Sequence, residues 1–345
     1  MKAQEAALDD AGKPAKPTMM DVAARAGVSQ ATVSLVLNGS PGARLSDATK
    51  SRVRAAAEAV GYRLTRRPAA RQPVAEKLIG FIADELSTDP WMPLAFDGAR
   101  EKALEYGVTM TLVSRQGEDD REDSVYEPLT RLPLHGLIFG TTLTRRVDPP
   151  KLLFDVPSVL VNCYDTRRRL PSVLPGDLLG GRAATQRLIA AGRRRVGLIN
   201  GQSGIDASRD RLRGYRQALS SADIAFDPAL VWPGNWEPTA GYEGTMAMMA
   251  LEDPPDGIFC ANDVMALGCY DALKELGLRI PQDIAVVGFD DREIAQFMRP
   301  PLTTFLLPHY EMGATAVQML LDRAGGLTDL DQIKIECTLV ERESG

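Results

Sequence analysis

Histidine and cysteine are scarce in this chain, two and four residues respectively among 345. Cys163, Cys260, Cys269 and Cys337 are scattered without CxxC spacing, and only His135 and His309 add imidazole, so no metal site is expected and the thiols are expected to be buried and reduced. No run approaches the roughly 20 apolar residues of a membrane span. The opening MKAQEAALDD lacks the apolar stretch of a secretory signal. A cytoplasmic protein with no membrane partner is the expectation. Also missing are a GxxxxGK[ST] phosphate loop, a GxGxxG strand-to-helix turn and a nucleophile elbow; GQSG at 201–204 matches none of them. With so little imidazole and no paired acid and base at recognisable spacing, no catalytic residue and no cofactor are expected. An α/β enzyme acting on a sugar is kept as a remote alternative.

Positive charge is in short supply overall, at net −6, but not at the amino-terminal end. Residues 1–72 carry 12 Lys and Arg against 6 Asp and Glu; the remainder carries 28 against 40. A basic module on an acidic body suits a protein that grips phosphates at one end only, although a solvated basic face gives the same count.

What that basic segment contains is a helix-turn-helix pattern. In MMDVAARAGVSQATVSLVLN, residues 19–38, the apolar Met20, Val22, Ala23 and Ala26 recur at helical spacing. Gly27 supplies a turn that a residue with a Cβ resists, and Ser29 is placed to cap the next helix. Val33, Val36 and Leu37 of that helix face inward, leaving Ser29, Gln30, Ala31, Thr32 and Ser34 outward. Short amides, hydroxyls and methyls on such a helix reach base edges in the major groove. Leu45-Ser46-Asp47 reads as the capped start of a third helix to about Val60, closed by Gly61 and Tyr62.

The expected organisation is a structureless tail over 1–16, an all-α headpiece over 17–62, a basic hinge linker over 63–77 and an α/β core over 78–345. In the linker, RLTRRPAARQPVAE at 63–76 offers Arg66, Arg67 and Arg71 to phosphates or a minor groove. Beyond it, LIGFIAD, VTMTLVS, HGLIFG, SVLVN, RVGLING, GIFCAND and IAVVGFDD read as strands, with helices over 94–106, 180–191, 209–220 and 264–276 between them. Alternating βα units predict parallel sheets, here two, with a ligand cleft beyond the carboxyl ends of the strands. The end of the chain, DLDQIKIECTLVERESG, reads as one strand and a short polar tail.

Several side chains fall at those strand ends: Asp84, Asn262 with Asp263, and Asp290 with Asp291. Carboxylates and amides there can fix hydroxyl groups, Trp91 and Trp236 can stack on a sugar ring, and Arg211 adds a forked donor. Plainer readings stand beside these: Asp263 and Asp291 as caps, and each tryptophan as ordinary packing.

These segments together resemble one family. TMMDVAARAGVSQATVSLVLNG, SDATKSRVRAAAEAVGY, ANDVMALG, IPQDIAVVGFDD and PPLTTF, in this order, resemble the lactose and galactose repressor family of bacterial transcription regulators over residues 18 to about 321. The resemblance implies a helix-turn-helix headpiece on a two-lobed, periplasmic-binding-protein-like core with parallel sheets. The expected lobes are 78–174 plus 307–330, and 175–306 plus 331–345. It also implies a bacterial, nucleoid-associated homodimer that binds double-stranded operator DNA and answers to a small-molecule effector. By motif, Thr18, Ser29, Gln30, Ala31, Thr32, Ser34, Asn38 and Arg44 join the linker arginines at the DNA, with Gln30 and Ala31 as base readers. Arg211 matches the family's effector-contacting arginine in an Arg-x-x-Gly-aromatic pattern with Gly214 and Tyr215. Trp236, Asn262 and Asp290 match pocket positions, and Asp84, Trp91 and His309 complete the expected effector set.

Three departures stand out. Leu35 replaces an arginine common in the SRVLN string, Arg71 falls where a leucine wedge is usual between Pro68 and Pro73, and Leu307 takes a place often held by glutamine, with His309 close behind. His309 is open to a structural or a pocket role. The aromatic and acidic cleft favours a carbohydrate effector, with a nucleoside or other non-sugar corepressor as the alternative. No heptad zipper follows the core, so no tetramer built by carboxyl-terminal helices is expected.

Overall fold

The computed structural model describes residues 19–38, 45–62, 77–84, 86, 90–115, 122–324 and 332–345. The expected tail, Thr18, Arg44, and the linker with Arg66, Arg67 and Arg71 lie outside them. The chain divides into two compact units, residues 1–72 and 73–345.

In the first unit, α1 (Met19–Ala26), α2 (Gln30–Asn38) and α3 (Asp47–Val60) enclose a core of Val22, Ala23, Ala26, Val33, Val36, Val53, Ala56 and Ala57. Gly27 takes φ +64°, turning the chain between the first two helices. Ser29 then caps α2, its Oγ accepting the Thr32 amide at 3.1 Å. Ser46 caps α3 in the same way at 3.2 Å, and Gly61 at φ +70° ends that helix with the Tyr62 amide donating to the Ala57 carbonyl. Met20, expected on the apolar face, is instead 67% exposed. The neighbouring Met19 turns toward the core in its place.

The second unit holds two parallel sheets. The first forms from β1 (Leu78–Asp84), β2 (Thr109–Arg115), β3 (Leu134–Val147), β4 (Ser158–Asp165), β5 (Ser172–Pro175) and β11 (Gln332–Ile335), in the order β11-β5-β4-β3-β1-β2. Helices α4 (Trp91–Glu105), α5 (Glu122–Thr130) and α6 (Leu152–Asp155) lie between its strands in sequence, and α11 (His309–Ala324) packs on α4. The second sheet, β7-β6-β8-β9, consists of β6 (Val196–Ile199), β7 (Val231–Trp232), β8 (Gly257–Cys260) and β9 (Ala285–Val287). Its helices are α7 (Asp177–Ala190) against α8 (Asp206–Ser221), and α9 (Pro238–Met249) against α10 (Asp263–Glu275). A ribbon of β10 (Thr304–Leu306) and β12 (Thr338–Val340) is tied to the end of β9 by single bridges, Val287 to Thr303 and Asp290 to Leu306.

Close helix pairing here depends on small residues. At Gly181 and Gly214, where α7 meets α8, an added Cβ would lie within 2.6 Å and 2.2 Å of backbone on the facing helix. A side chain at either position would separate the pair.

The second lobe was expected to hold all of 331–345, but β11 pairs with β5 of the first sheet. The run read as one strand is broken at Glu336 and Cys337, after which β12 joins β10 of the second lobe. The last residues are not a solvated tail either. Ser344 is buried, its Oγ accepting the Thr303 amide and donating to the Val286 carbonyl at 2.8 and 2.7 Å. Backbone therefore passes between the lobes three times, at β5 to α7, β10 to α11 and β11 to β12. One apolar cluster runs through both sheets, from Phe81, Met92 and Ile138 to Leu198, Phe259 and Phe289. Each such fully buried side chain contributes about 1.5–3 kcal/mol.

Candidate functional site

The carboxyl ends of the strands carry a connected polar cluster centred on Arg211. This side chain, in α8, is 3% exposed. Its Nε and Nη2 lie 2.9 and 2.8 Å from Oδ1 of Asp177, the first residue of α7. Its Nη1 donates to the Ala261 carbonyl just past β8 and stands 3.7 Å from Asp290 Oδ1. The guanidinium also faces the Phe289 ring at 3.9 Å and the Trp236 ring at 5.6 Å. Burial pushes the Asp177 carboxyl up from its ordinary value, and Arg211 pulls against that. The second Asp177 oxygen faces Thr144 Oγ1 of β3 at 3.4 Å, so the cluster reaches the first lobe. Tyr164 of β4 makes a second bridge, donating to Asp206 Oδ2 at 2.5 Å.

Trp236 and Asp290 both sit in the left-handed region, at φ +72° and +109°. Such backbone persists where surrounding structure holds it, commonly at binding sites. Asn262 does the holding for Trp236: its Nδ2 donates to the Trp236 carbonyl at 3.0 Å while its Oδ1 caps α10 through the Met265 amide at 2.7 Å. The Trp236 ring lies on Gly201, where a Cβ would come within 2.0 Å of it.

The cap of α10 is thus Asn262 and not Asp263, which follows as the first helical residue. Asp263 is fully buried and accepts from Thr304 Oγ1 at 2.6 Å and the Arg292 amide at 2.7 Å, fixing the loop after β9. Burial raises its carboxyl well above the ordinary value, reinforced by Asp290. Asp291 caps nothing; its carboxylate pairs with Arg342 Nη2 at 2.6 Å.

His309 opens α11 with its side chain fully buried and stacks on Trp91 at 5.1 Å between centroids and 15° between planes. Arg292 lies 5.6 Å over the same Trp91 ring. Burial, with the nearby positive charge of Arg211, lowers the His309 pKa to about 3. The imidazole is therefore neutral, and neither ring nitrogen has a hydrogen-bond partner among the described residues. Asn200 Oδ1 past β6, Ser208 Oγ in α8 and Trp236 Nε1 are likewise buried and unpartnered.

Of the seven side chains expected at an effector, Arg211, Trp236, Asn262 and Asp290 meet in one cluster, and Trp91 and His309 form a stacked pair. Asp84, at the carboxyl end of β1, is paired within the first lobe, its carboxylate 2.5 Å from Arg145 Nη2. Sequence reasoning passed over Asp177, Asn200, Ser208, Tyr164 and Phe289. Asn200 was within reach of the strand-end rule, since it closes VGLIN.

In the headpiece, Ser29 and Gln30 are exposed and Thr32 and Ser34 half-buried. The Ser29 and Thr32 hydroxyls bond one another at 2.9 Å, which leaves Gln30 as an exposed amide at the start of α2. Ala31 and Asn38 lie on α2, and the placement of their side chains is outside the described set.

Comparison with known proteins gives two family matches: bacterial regulatory proteins of the lacI family over residues 18–64, and a periplasmic binding protein-like domain over 185–345. The ribose operon repressor of Haemophilus influenzae (strain ATCC 51907 / DSM 11121 / KW20 / Rd) is 30% identical over 328 residues, covering 95% of this chain and 98% of that one. The chain belongs to the lacI family. Among solved structures of similar proteins, a transcriptional regulator CelR–cellobiose complex has TM-score 0.67 at 30% identity, covering 95% of this chain and all of that one. The lac repressor dimer bound to operator and the anti-inducer ONPF has TM-score 0.66 at 27% identity, covering 96% and 99%. This lacI-family chain is a DNA-binding transcriptional regulator whose fold is the one its motifs implied. Its two matched regions fall on the helical headpiece and on the part of the core that contains Arg211, Trp236, Asn262 and Asp290, but not Asp177. Among the described residues no helix is long and apolar enough to cross a membrane, and no group of acidic, histidine and cysteine side chains is arranged to hold a metal ion.

Proposed function

We propose that this protein is a homodimeric, cytoplasmic repressor without catalytic activity, whose operator binding is adjusted by a carbohydrate held between the two lobes of its core. The observation that carries the reading is the gathering of buried, unpartnered polar atoms beside the Arg211 cluster, at the strand ends of a two-lobed core. Imidazole, indole N–H, amide oxygen and hydroxyl are the groups that sugar hydroxyls bond in fixed directions. The similarity to a ribose operon repressor and to a regulator bound to cellobiose supports the same ligand class.

In this reading each headpiece enters one half-site, Gln30 bonding adenine and the Ala31 methyl touching thymine. Sugar binding favours the pose in which Tyr164 meets Asp206 and Thr144 meets Asp177. The spacing of paired headpieces changes with that pose. The sugar alters DNA affinity by the ratio of its own affinities for the two poses, about 1–3 kcal/mol, and acts as an inducer.

The test is titration of the full chain onto genomic fragments at several salt concentrations, with and without a sugar panel. A sequence-selective complex with a steep salt slope, released by one sugar, is expected. Sequence-blind binding would overturn the regulator mechanism, and release by nucleosides alone would replace the sugar.

A further inference from the structure

We propose that the cleft accepts an uncharged, hydroxyl-bearing ligand and rejects the phosphate ester of the same molecule, with His309 as a specificity-determining contact. This rests on the carbohydrate reading and narrows it.

Three of the cations at the strand ends are already paired with carboxylates. Arg211 is paired with Asp177 and faces Asp290; Arg145 is paired with Asp84; Arg209 is paired with Asp206 and Asp210. Arg292 is laid over the Trp91 ring. At those three arginines a phosphate would have to displace a carboxylate, and a carboxylate left buried without its cation is strongly disfavoured. Among the described residues, the buried atoms without partners near the Arg211 cluster and the Trp91–His309 pair are on uncharged groups: both His309 ring nitrogens, Trp236 Nε1, Asn200 Oδ1 and Ser208 Oγ. A neutral imidazole presents one donor and one acceptor, which a hydroxyl group answers and a phosphate dianion, having only acceptors, does not. His309 cannot supply positive charge instead, because burial and Arg211 keep it deprotonated down to about pH 3. His309 and Trp91 belong to α11 and α4, which pack together beside the first sheet, whereas Asn200, Ser208 and Trp236 follow strands of the second. The ligand is thus recognised from both sides through neutral hydrogen bonds.

The experiment is a thermal-shift screen of the full chain at neutral pH with matched pairs: ribose and ribose 5-phosphate, glucose and glucose 6-phosphate, adenosine and its 5′-monophosphate. For the pair that binds, the neutral member is expected to raise the melting temperature by mass action, with its ester at least tenfold weaker. H309Q, which keeps a neutral donor and acceptor, is expected to retain binding, while H309F loses about tenfold. The comparison of parent with ester in the unmodified protein decides the matter even should H309F fail to fold. An ester that binds more tightly than its parent sugar overturns the charge exclusion and leaves the carbohydrate reading standing. Binding of adenosine without any sugar removes the carbohydrate reading while upholding the exclusion, provided the monophosphate is rejected. Silence from all three pairs overturns both.

Discussion

The headpiece carries its chemistry on the outside and the receptor carries its chemistry on the inside. Among the described residues of the headpiece the buried side chains are valines and alanines, and of the polar side chains expected to meet DNA Ser29 and Gln30 are exposed and Thr32 and Ser34 half-buried. In the core the interior holds Arg211, Asp177, Asp263, Asn262 and His309 amid phenylalanines and leucines. Function in the first unit can therefore be altered with little effect on folding, whereas in the second almost every change at the cleft is also a change in stability.

The largest test of that contrast is Arg211→Ala. It leaves Asp177 buried beside Asp290 without their shared cation and is expected to cost about 3–5 kcal/mol of core stability. Calorimetry should show the loss in the core transition, with the headpiece transition unmoved; a loss under 1 kcal/mol (about) would mean the carboxylate readily finds another partner. Next comes acid. His309 has a folded pKa of about 3 against an ordinary 6.5, so below pH 6.5 the unfolded chain takes up a proton that the native chain does not. Stability is accordingly full above pH 6.5 and falls by up to about 1.4 kcal/mol per pH unit down to the folded pKa. Denaturation midpoints measured at pH 6.5 and 5 should diverge in the native protein by roughly 2 kcal/mol more than in H309Q. Equal slopes in the two proteins would show that the ring is wet.

On the other side of the comparison, Gln30→Ala is expected to remove about 1–3 kcal/mol of discrimination at one base pair. Thermal stability should stay unchanged, and competition between operator variants reads the effect directly. The smallest expected effect belongs to Ser46→Ala, which removes the cap of α3 at a cost of about 1 kcal/mol. Because the headpiece core is built from small side chains, that loss should lower the headpiece melting temperature without touching the cleft.

Legibility in the sequence divided along the same line. Headpiece helices were readable because Gly27, Ser29, Ser46 and Gly61 mark their ends by local chemistry, and all four act at those ends in the structure. Among strands, the long apolar runs were readable, while β5, β7 and β10, of two to four residues, carry no periodicity of their own. They exist because a neighbouring strand offers hydrogen bonds. The division of the final run between two sheets was hidden for a related reason: QIKI and TLV look alike locally, and only their distant partners, β5 and β10, separate them. In the site, Asn262 and Asp290 were found by their position at strand ends. Asp177 was missed because what defines it is an ion pair to a helix 34 residues away.

The triple passage of backbone between the lobes has a mechanical meaning. A single tether would let one lobe swing or melt while the other stayed folded; three cords, two of them joined side by side where the Gly176 amide donates to the Ile335 carbonyl, resist both. What remains easy is a limited twist or scissoring that bends all three together, so any signal gathered in one lobe is handed to the other by the covalent chain itself, and a protease able to sever the headpiece should find no equally simple cut that frees a lobe.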